Sequence, residues 1–218
     1  MAIDFTNWNV FGEEGVADYI AASFWSPERR IEQWRSHLGW LPGGIGETVL
    51  DVACGNGNMR RVYTDLKGMV YQGCDVAPRM VELARVAHPD CQFRQAAAED
   101  LPYPDGSFDH VVCLALLMHL PLDHEEPIIA ELRRVARRTA LVHQRCALGT
   151  ERYAKQRGRN IICRAEPLVE TLERMRAIEP AVQVCVGDVT GSPRQGFFAS
   201  FYFVFHLSNE DARKEPHR

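Results

Sequence analysis

The chain has 218 residues, of which 46% are hydrophobic and 25% are charged, and its formal net charge is −4. These values match an average soluble globular protein, so they exclude collagen-like, disordered and low-complexity chains. A weakly acidic chain also has no broad attraction for nucleic acid or for an anionic membrane surface.

The seven cysteines have no close spacing and include no CxxC pair. This pattern favours reduced thiols over a disulfide framework or a zinc site, so no metal is predicted. The amino terminus lacks a signal-peptide pattern, and no apolar stretch approaches the ~20 residues of a membrane span. We therefore expect a soluble, cytoplasmic protein.

The elements alternate along the chain in the manner of βαβ units. We expect residues 1–46 to form a helical cover that precedes the sheet. Short apolar runs then predict strands, and segments with helical period predict helices between them. The predicted strands are Thr48 to Ala53, Met69 to Asp75, Cys91 to Gln95, His110 to Leu114 and Ala140 to Arg145. The predicted helices are Asn58 to Leu66, Pro78 to Ala87, Asp123 to Arg138 and Ala165 to Ile178.

The pattern changes after the last helix. Alternating valines at 182, 184 and 186 precede a Gly/Pro turn and the apolar run Phe197 to His206, which together predict an antiparallel hairpin. The run is so apolar that we expect it inside the sheet and not at an edge. We thus predict one domain over residues 47–207, with a lid segment at residues 147–164 and a polar tail at residues 208–218.

The most informative stretch is VLDVACGNGN at residues 49–58, where a buried strand enters a Gly-x-Gly turn and a helix. Such a turn lets the backbone approach a ligand and offers unpaired N–H groups at the helix start. A dinucleotide site would have a third glycine where this chain has Arg60, which argues against NAD or FAD. Asp51 on the strand would repel a pyrophosphate and could receive an ammonium group.

A second carboxylate, Asp75, ends the next predicted strand. At this position an acid can accept the hydroxyl groups of a ribose, as in other nucleoside-binding α/β sheets. A ligand with an amine at one end and a ribose further along fits S-adenosylmethionine.

Three blocks together resemble a known family: VLDVACGNGN, then CDVAPRM at residues 74–80, then AAAEDLPYPDGSFDHVVCLALLMHL at residues 96–120. They are similar to the signature blocks of class I S-adenosylmethionine-dependent methyltransferases, in the subgroup near the ubiquinone and menaquinone enzymes. The resemblance implies a Rossmann-like α/β fold with a doubly wound, mostly parallel seven-stranded sheet and a C-terminal antiparallel hairpin. It also implies S-adenosyl-L-methionine as cofactor and S-adenosyl-L-homocysteine as product.

The resemblance implies roles for individual positions in holding the cofactor. Acid and glycine positions would line its methionine end and ribose, and the fourth strand would present a carbonyl to its amine. The implied set is Asp51, Ala53, Gly55, Gly57, Asp75, Val76, Met80, Ala98, Glu99 and Leu114. One position departs from the pattern, because Ala97 stands where the family often has an acid for the adenine amino group. Ala98 and Glu99 would have to supply that recognition.

The acceptor side is defined by two candidate catalytic residues. His119 follows the fourth predicted strand, where a histidine could take a proton from an acceptor during methyl transfer. Arg145 ends the fifth strand and could pair with a substrate carboxylate or phosphate. The lid segment is rich in basic residues, which suits an anionic small-molecule substrate.

Alternative functions remain open at this point. The arginine-rich end of the third predicted helix could serve an RNA methyltransferase, although basic residues are also favoured at helix C-termini. A protein methyltransferase, or a protein that binds S-adenosylmethionine without transferring its methyl group, would share the same motifs. The sequence favours a methyltransferase that acts on a small molecule by in-line displacement.

Overall fold

A computed structural model describes residues 42–157, 161–192 and 196–207 of the chain. Most of the predicted helical cover at residues 1–46 and the predicted tail at residues 208–218 lie outside the described residues. Those two predictions therefore stay predictions.

The described residues form nine strands. They are β1 (Thr48–Val52), β2 (Val70–Asp75), β3 (Gln92–Gln95), β4 (Phe108–Leu114), β5 (Ala136–Ala147), β6 (Tyr153–Arg157), β7 (Ile161–Pro167), β8 (Gln183–Ser192) and β9 (Gly196–His206). The helices are a short π-helix at Arg61–Leu66, then α1 (Pro78–Ala87), α2 (Glu125–Val135) and α3 (Leu168–Ile178). Two 3₁₀ turns, Leu117–His119 and Leu122–His124, connect β4 to α2.

The strand order confirms the predicted fold class. Strands β3, β2, β1, β4 and β5 lie side by side in that order and are parallel. On the other side of β5, β9 pairs antiparallel with it and with β8, so the apolar last strand is internal, as predicted. After β3, the chain crosses back over β2 and β1 to form β4 on the other side of β1. This crossover reverses the direction in which strands are added, and it opens a crevice beyond the carboxyl ends of β1 and β4.

The sheet contains two strands more than the seven predicted. Strands β6 and β7 form an antiparallel hairpin within and just after the segment that was predicted to be a lid. The physical reason is that β5 continues past the end of β4. The last residue pair that the two strands share is Leu114 with His143. Beyond this pair, β7 pairs with β5 through Cys146 and Glu166. Whether this hairpin covers an acceptor stays a prediction.

Both faces of the central sheet are covered, which explains the continuous apolar runs of its strands. Strand β9 shows the alternation well: Phe203 and Phe205 pack on the layer that contains α2, whereas Tyr202 and Val204 pack on the layer that contains the π-helix and α1. All four side chains are buried. These two layers hold the strand ends in fixed positions.

Helix α2 ends at Val135, three residues before the predicted end, and β5 begins at once. The next arginines act as strand residues: Arg137 pairs with Asp109, and Arg138 pairs with Glu47. None of the helices described is long and apolar enough to cross a membrane.

Candidate functional site

The turn after β1 has the backbone geometry that its glycines predict. Gly55 and Gly57 have φ angles of 56° and 77°, in the left-handed region that favours glycine. A Cβ at Gly57 would approach the Phe93 ring to 2.9 Å, whereas no atom of the described residues lies within 4 Å of a Cβ placed at Gly55. The turn is therefore packed below Gly57 and open above Gly55, as a ligand-facing turn requires. Ala53 also has a left-handed φ, 59°, which is uncommon for a residue with a side chain.

Asp75 joins the ends of β1 and β2. Its Oδ2 accepts a hydrogen bond from the Gly55 N–H at 2.8 Å, and its Oδ1 accepts one from the Ala77 N–H at 2.9 Å. Burial raises the pKa of this carboxyl group, and the two N–H donors oppose that rise. Each carboxylate oxygen can accept more than one hydrogen bond, so the group can hold both turns and still receive ligand hydroxyls.

Asp51 lies beneath the same turn and is 2% exposed. The Tyr71 hydroxyl donates a hydrogen bond to its Oδ2 at 2.7 Å. Burial raises the pKa of Asp51 to about 7, assisted by the charge of Asp75 and opposed by the Tyr71 hydrogen bond. Tyr71 was not among the predicted site residues. Asp51 pairs with Gly73 on β2, and Tyr71 stands two residues before Gly73. Because side chains alternate along a strand, Tyr71 lies on the same face of the sheet as Asp51.

The residues predicted to surround adenine lie beyond β2 and β3. Met80 and Ala98 are buried, and Val76 accepts a hydrogen bond from the Gln95 side chain through its carbonyl. The Glu99 carboxylate lies 2.6 Å from His124 Nδ1. This contact was not predicted, because the two residues belong to different loops. Ala98 and Glu99 thus lie where adenine recognition was predicted, and their contacts to a ligand stay a prediction.

The carboxyl end of β4 mirrors that of β1. Leu114 is the last residue of the strand, and the following Ala115 has a left-handed φ of 62°. The next turn carries His119, which is 9% exposed. Its Nδ1 lies 3.8 Å from the Cys163 sulfur on β7. The chain therefore places an imidazole and a thiol together at the edge of the crevice.

Arg145, the second predicted catalytic residue, faces a different part of the sheet. It donates a hydrogen bond to the Thr190 hydroxyl on β8, and its guanidinium carbon lies 5.3 Å from the centre of the Phe198 ring on β9. His119 instead contacts β7. A role for Arg145 in binding an acceptor stays a prediction.

Two of the basic residues of the predicted lid segment are bound to acids of this chain. Arg152 pairs with Glu166 and with Glu170. Arg164 pairs with Glu166 and donates a hydrogen bond to the Leu117 carbonyl at 3.1 Å. Arg164 thus holds β7 against the turn after β4, and Arg152 joins β7 to α3. The anionic substrate that the basic residues suggested stays a prediction.

No group of three or more potential metal ligands occurs in the described part of the chain. The acid and glycine positions gather at one edge of the sheet instead, at the carboxyl ends of β1 and β2, and His119 lies beyond the neighbouring end of β4.

Comparisons with known proteins concern the domain that contains these residues. Residues 50–142 match a family described as a methyltransferase domain. Among curated proteins, the 27-O-demethylrifamycin SV methyltransferase of Amycolatopsis mediterranei is 36% identical over 89 residues, which cover 38% of this chain and 33% of that protein. The ubiquinone biosynthesis O-methyltransferase of Bordetella parapertussis is 29% identical over 115 residues, 47% of each chain. The chain thus spans less than half the length of these curated relatives.

Solved structures share the fold at lower identity. The magnesium protoporphyrin IX methyltransferase of Synechocystis PCC 6803 with bound SAH aligns with a TM-score of 0.64 and 17% identity, covering 89% of this chain and 95% of that one. Phosphoethanolamine N-methyltransferase 2 of Haemonchus contortus aligns with a TM-score of 0.67 and 12% identity, covering 93% and 60%. The match over residues 50–142 identifies a methyltransferase domain in this part of the chain, and it supports the resemblance to class I S-adenosylmethionine-dependent methyltransferases that the ordered motifs carry.

Proposed function

We propose that this chain is a methyltransferase that binds S-adenosylmethionine and transfers its methyl group to a small-molecule acceptor. The observation that carries the proposal is the arrangement around Asp75. Its carboxylate ties the Gly55 turn to the Ala77 turn, directly beside the open face of Gly55. A ribose could bind this carboxylate while the rest of the ligand follows the backbone of the turn.

The remaining residues at this edge fit the proposed cofactor. Asp51 offers a buried carboxyl group beneath the turn, and a bound ammonium group would favour its charged form. The carbonyl of Leu114 offers a second acceptor. Met80 and Ala98 give an apolar boundary for a base. When bound, the cofactor supplies a methyl group on a sulfonium, an activated carbon for which alignment and exclusion of water provide much of the rate.

On the acceptor side, His119 would hold or remove a proton. Neutral imidazole can accept the proton of an acceptor hydroxyl or ammonium group, and the 9% exposure of His119 limits competition by water. The curated relatives whose names mention rifamycin and ubiquinone support a small-molecule acceptor. An acceptor of this kind would lie beyond the ends of β4 and β5.

RNA methylation is not favoured, because the arginines that suggested it have acidic partners. Arg133 pairs with Glu179, and Arg134 pairs with Glu131 and Asp105. Arg137 and Arg138 pair with acids on or beside β4 and β1. A phosphate backbone would have to compete with these partners.

The test is calorimetric titration of the full chain with S-adenosylmethionine and with S-adenosylhomocysteine, followed by an assay for transfer of labelled methyl into small-molecule extracts. We expect both ligands to bind at one site and label to appear in a low-molecular-weight product. Absence of binding would overturn the cofactor assignment. Binding without transfer to any extract, but with transfer to RNA or protein, would overturn the acceptor class.

A further inference from the structure

Cys163 has a different environment from the other cysteines of the chain. It is half-buried on β7, and its sulfur lies 3.8 Å from His119 Nδ1. In the other six, burial raises the pKa of the thiol and so disfavours the reactive thiolate. These are Cys54, Cys74, Cys91, Cys113, Cys146 and Cys185.

The pair of Cys163 and His119 is held in place by the structure around it. Arg164, the next residue on β7, donates to the Leu117 carbonyl in the turn that carries His119. The same guanidinium pairs with Glu166 at 3.0 Å, and Glu166 pairs with β5 through Cys146. The sulfur and the imidazole therefore face each other across two elements fixed by hydrogen bonds.

An imidazole beside a thiol changes the chemistry of the sulfur. The ring can take the thiol proton, and the resulting imidazolium stabilises the thiolate, which is the nucleophilic form. No third metal ligand joins the pair in the described part of the chain. The arrangement is thus suited to attack on an electrophile and not to metal binding.

We propose that Cys163 is a modification site, a reactive thiol activated by His119, and that peroxides and alkylating electrophiles modify it before any other cysteine of the chain. With hydrogen peroxide, the sulfur attacks one oxygen, a sulfur–oxygen bond forms and the oxygen–oxygen bond breaks. Cys163 is oxidised to a sulfenic acid, and the peroxide is reduced to water, which takes up the proton held by His119.

The probe is iodoacetamide, because its reaction marks the sulfur permanently: a carbon–sulfur bond forms and iodide leaves. The full chain without added ligand is treated for increasing times, and the labelled peptides are measured by mass spectrometry. Cys91 is the matched control, since it is also half-buried but has Arg60, Asp90 and Asp65 around it instead of an imidazole.

We expect Cys163 to be labelled at least about tenfold faster than Cys91. In His119→Gln, the labelling rate of Cys163 should fall by about fivefold or more while that of Cys91 is unchanged. Equal rates at the two cysteines in the wild-type chain would overturn the proposal without any variant. A Cys163 rate that is unchanged in a folded His119→Gln chain would also overturn it. Labelling requires no methyl transfer, so a failure of the Cys163 proposal can be distinguished from a failure of the proposed function.

Discussion

The two ends of the crevice are built in different ways. In the first region, at the carboxyl ends of β1 and β2, Asp75 binds Gly55 and Tyr71 binds Asp51, each pair separated by 20 residues. In the second region, beyond β4 and β5, His119 meets Cys163 across 44 residues and Arg174 meets Glu125 across 49. The first region is completed within one βαβ unit, whereas the second requires β7 and α3 to dock.

This difference implies that the two regions fail in different ways. Local contacts in the first region depend on carboxylates that the proposed cofactor would also use, so substitutions there should change binding and its dependence on pH. The second region depends on an ion pair between distant elements, Arg174 with the buried Glu125, so substitutions there should change stability first. The following predictions test this division.

The largest effect at a single pH is expected for the ion pair beneath the second region. Arg174 donates to Glu125 at 2.8 Å, and Glu125 is 2% exposed, with Gln144 as a further donor. Arg174→Met leaves a buried carboxylate without its cation, so we expect a loss of about 3 kcal/mol in the free energy of unfolding. Urea unfolding measures this loss. Arg176→Met, at an exposed position of the same helix, should change that free energy by less than about 0.5 kcal/mol; equal losses in the two variants would contradict the assigned pair.

An effect that depends on pH is expected at Asp51. Its carboxyl pKa is raised by burial to about 7 from an ordinary value of 3.8, so the folded chain holds this proton more tightly than the unfolded chain. The stability that this proton gives is present at low pH and is lost as pH rises between these two values, at up to about 1.4 kcal/mol per pH unit. Asp51→Asn stays neutral and can still accept the Tyr71 hydrogen bond.

We therefore expect the stability of Asp51→Asn, relative to the wild-type chain, to increase as pH rises from 4 to about 7 and then to level off. Unfolding by urea at four pH values measures the difference. A difference that stays constant across that range would show that Asp51 titrates normally in the fold.

The smallest effect concerns a feature that the two regions share. Ala53 after β1 and Ala115 after β4 both have left-handed φ angles. Glycine adopts this conformation without the steric cost of a Cβ, so Ala53→Gly and Ala115→Gly should each raise the free energy of unfolding by about 0.5–1 kcal/mol. Ala84→Gly, in the interior of α1, should lower it by about 1 kcal/mol. Thermal unfolding distinguishes the signs, and a loss at both left-handed positions would contradict the assigned backbone.

The sequence predicted the first region almost completely. The strand, the Gly-x-Gly turn and the second acid are local patterns, and the structure brings Asp51, Gly55 and Asp75 together as expected. Tyr71 escaped prediction because its role depends on the register between β1 and β2. That register is a non-local property that composition does not fix.

The second region was predicted less well for a physical reason. Strand β7 has few of the apolar alternations that mark a strand, and it forms because β5 extends past β4 and offers free backbone groups. The contact of His119 with Cys163 and the ion pairs of Arg152 and Arg164 follow from that docking. None of these contacts has a signal in the neighbouring sequence.

In the proposed function, Asp75 holds the ribose of the cofactor while it ties the two turns together. The most direct measurement is the affinity of S-adenosylhomocysteine for Asp75→Ala, compared with the wild-type chain and with Asp105→Ala, which removes an exposed carboxylate that pairs with Arg134. We expect Asp75→Ala to weaken binding by more than about tenfold, or about 1.4 kcal/mol, and Asp105→Ala to leave it unchanged. Unchanged affinity in a folded Asp75→Ala chain, or equal losses in both variants, would contradict the account.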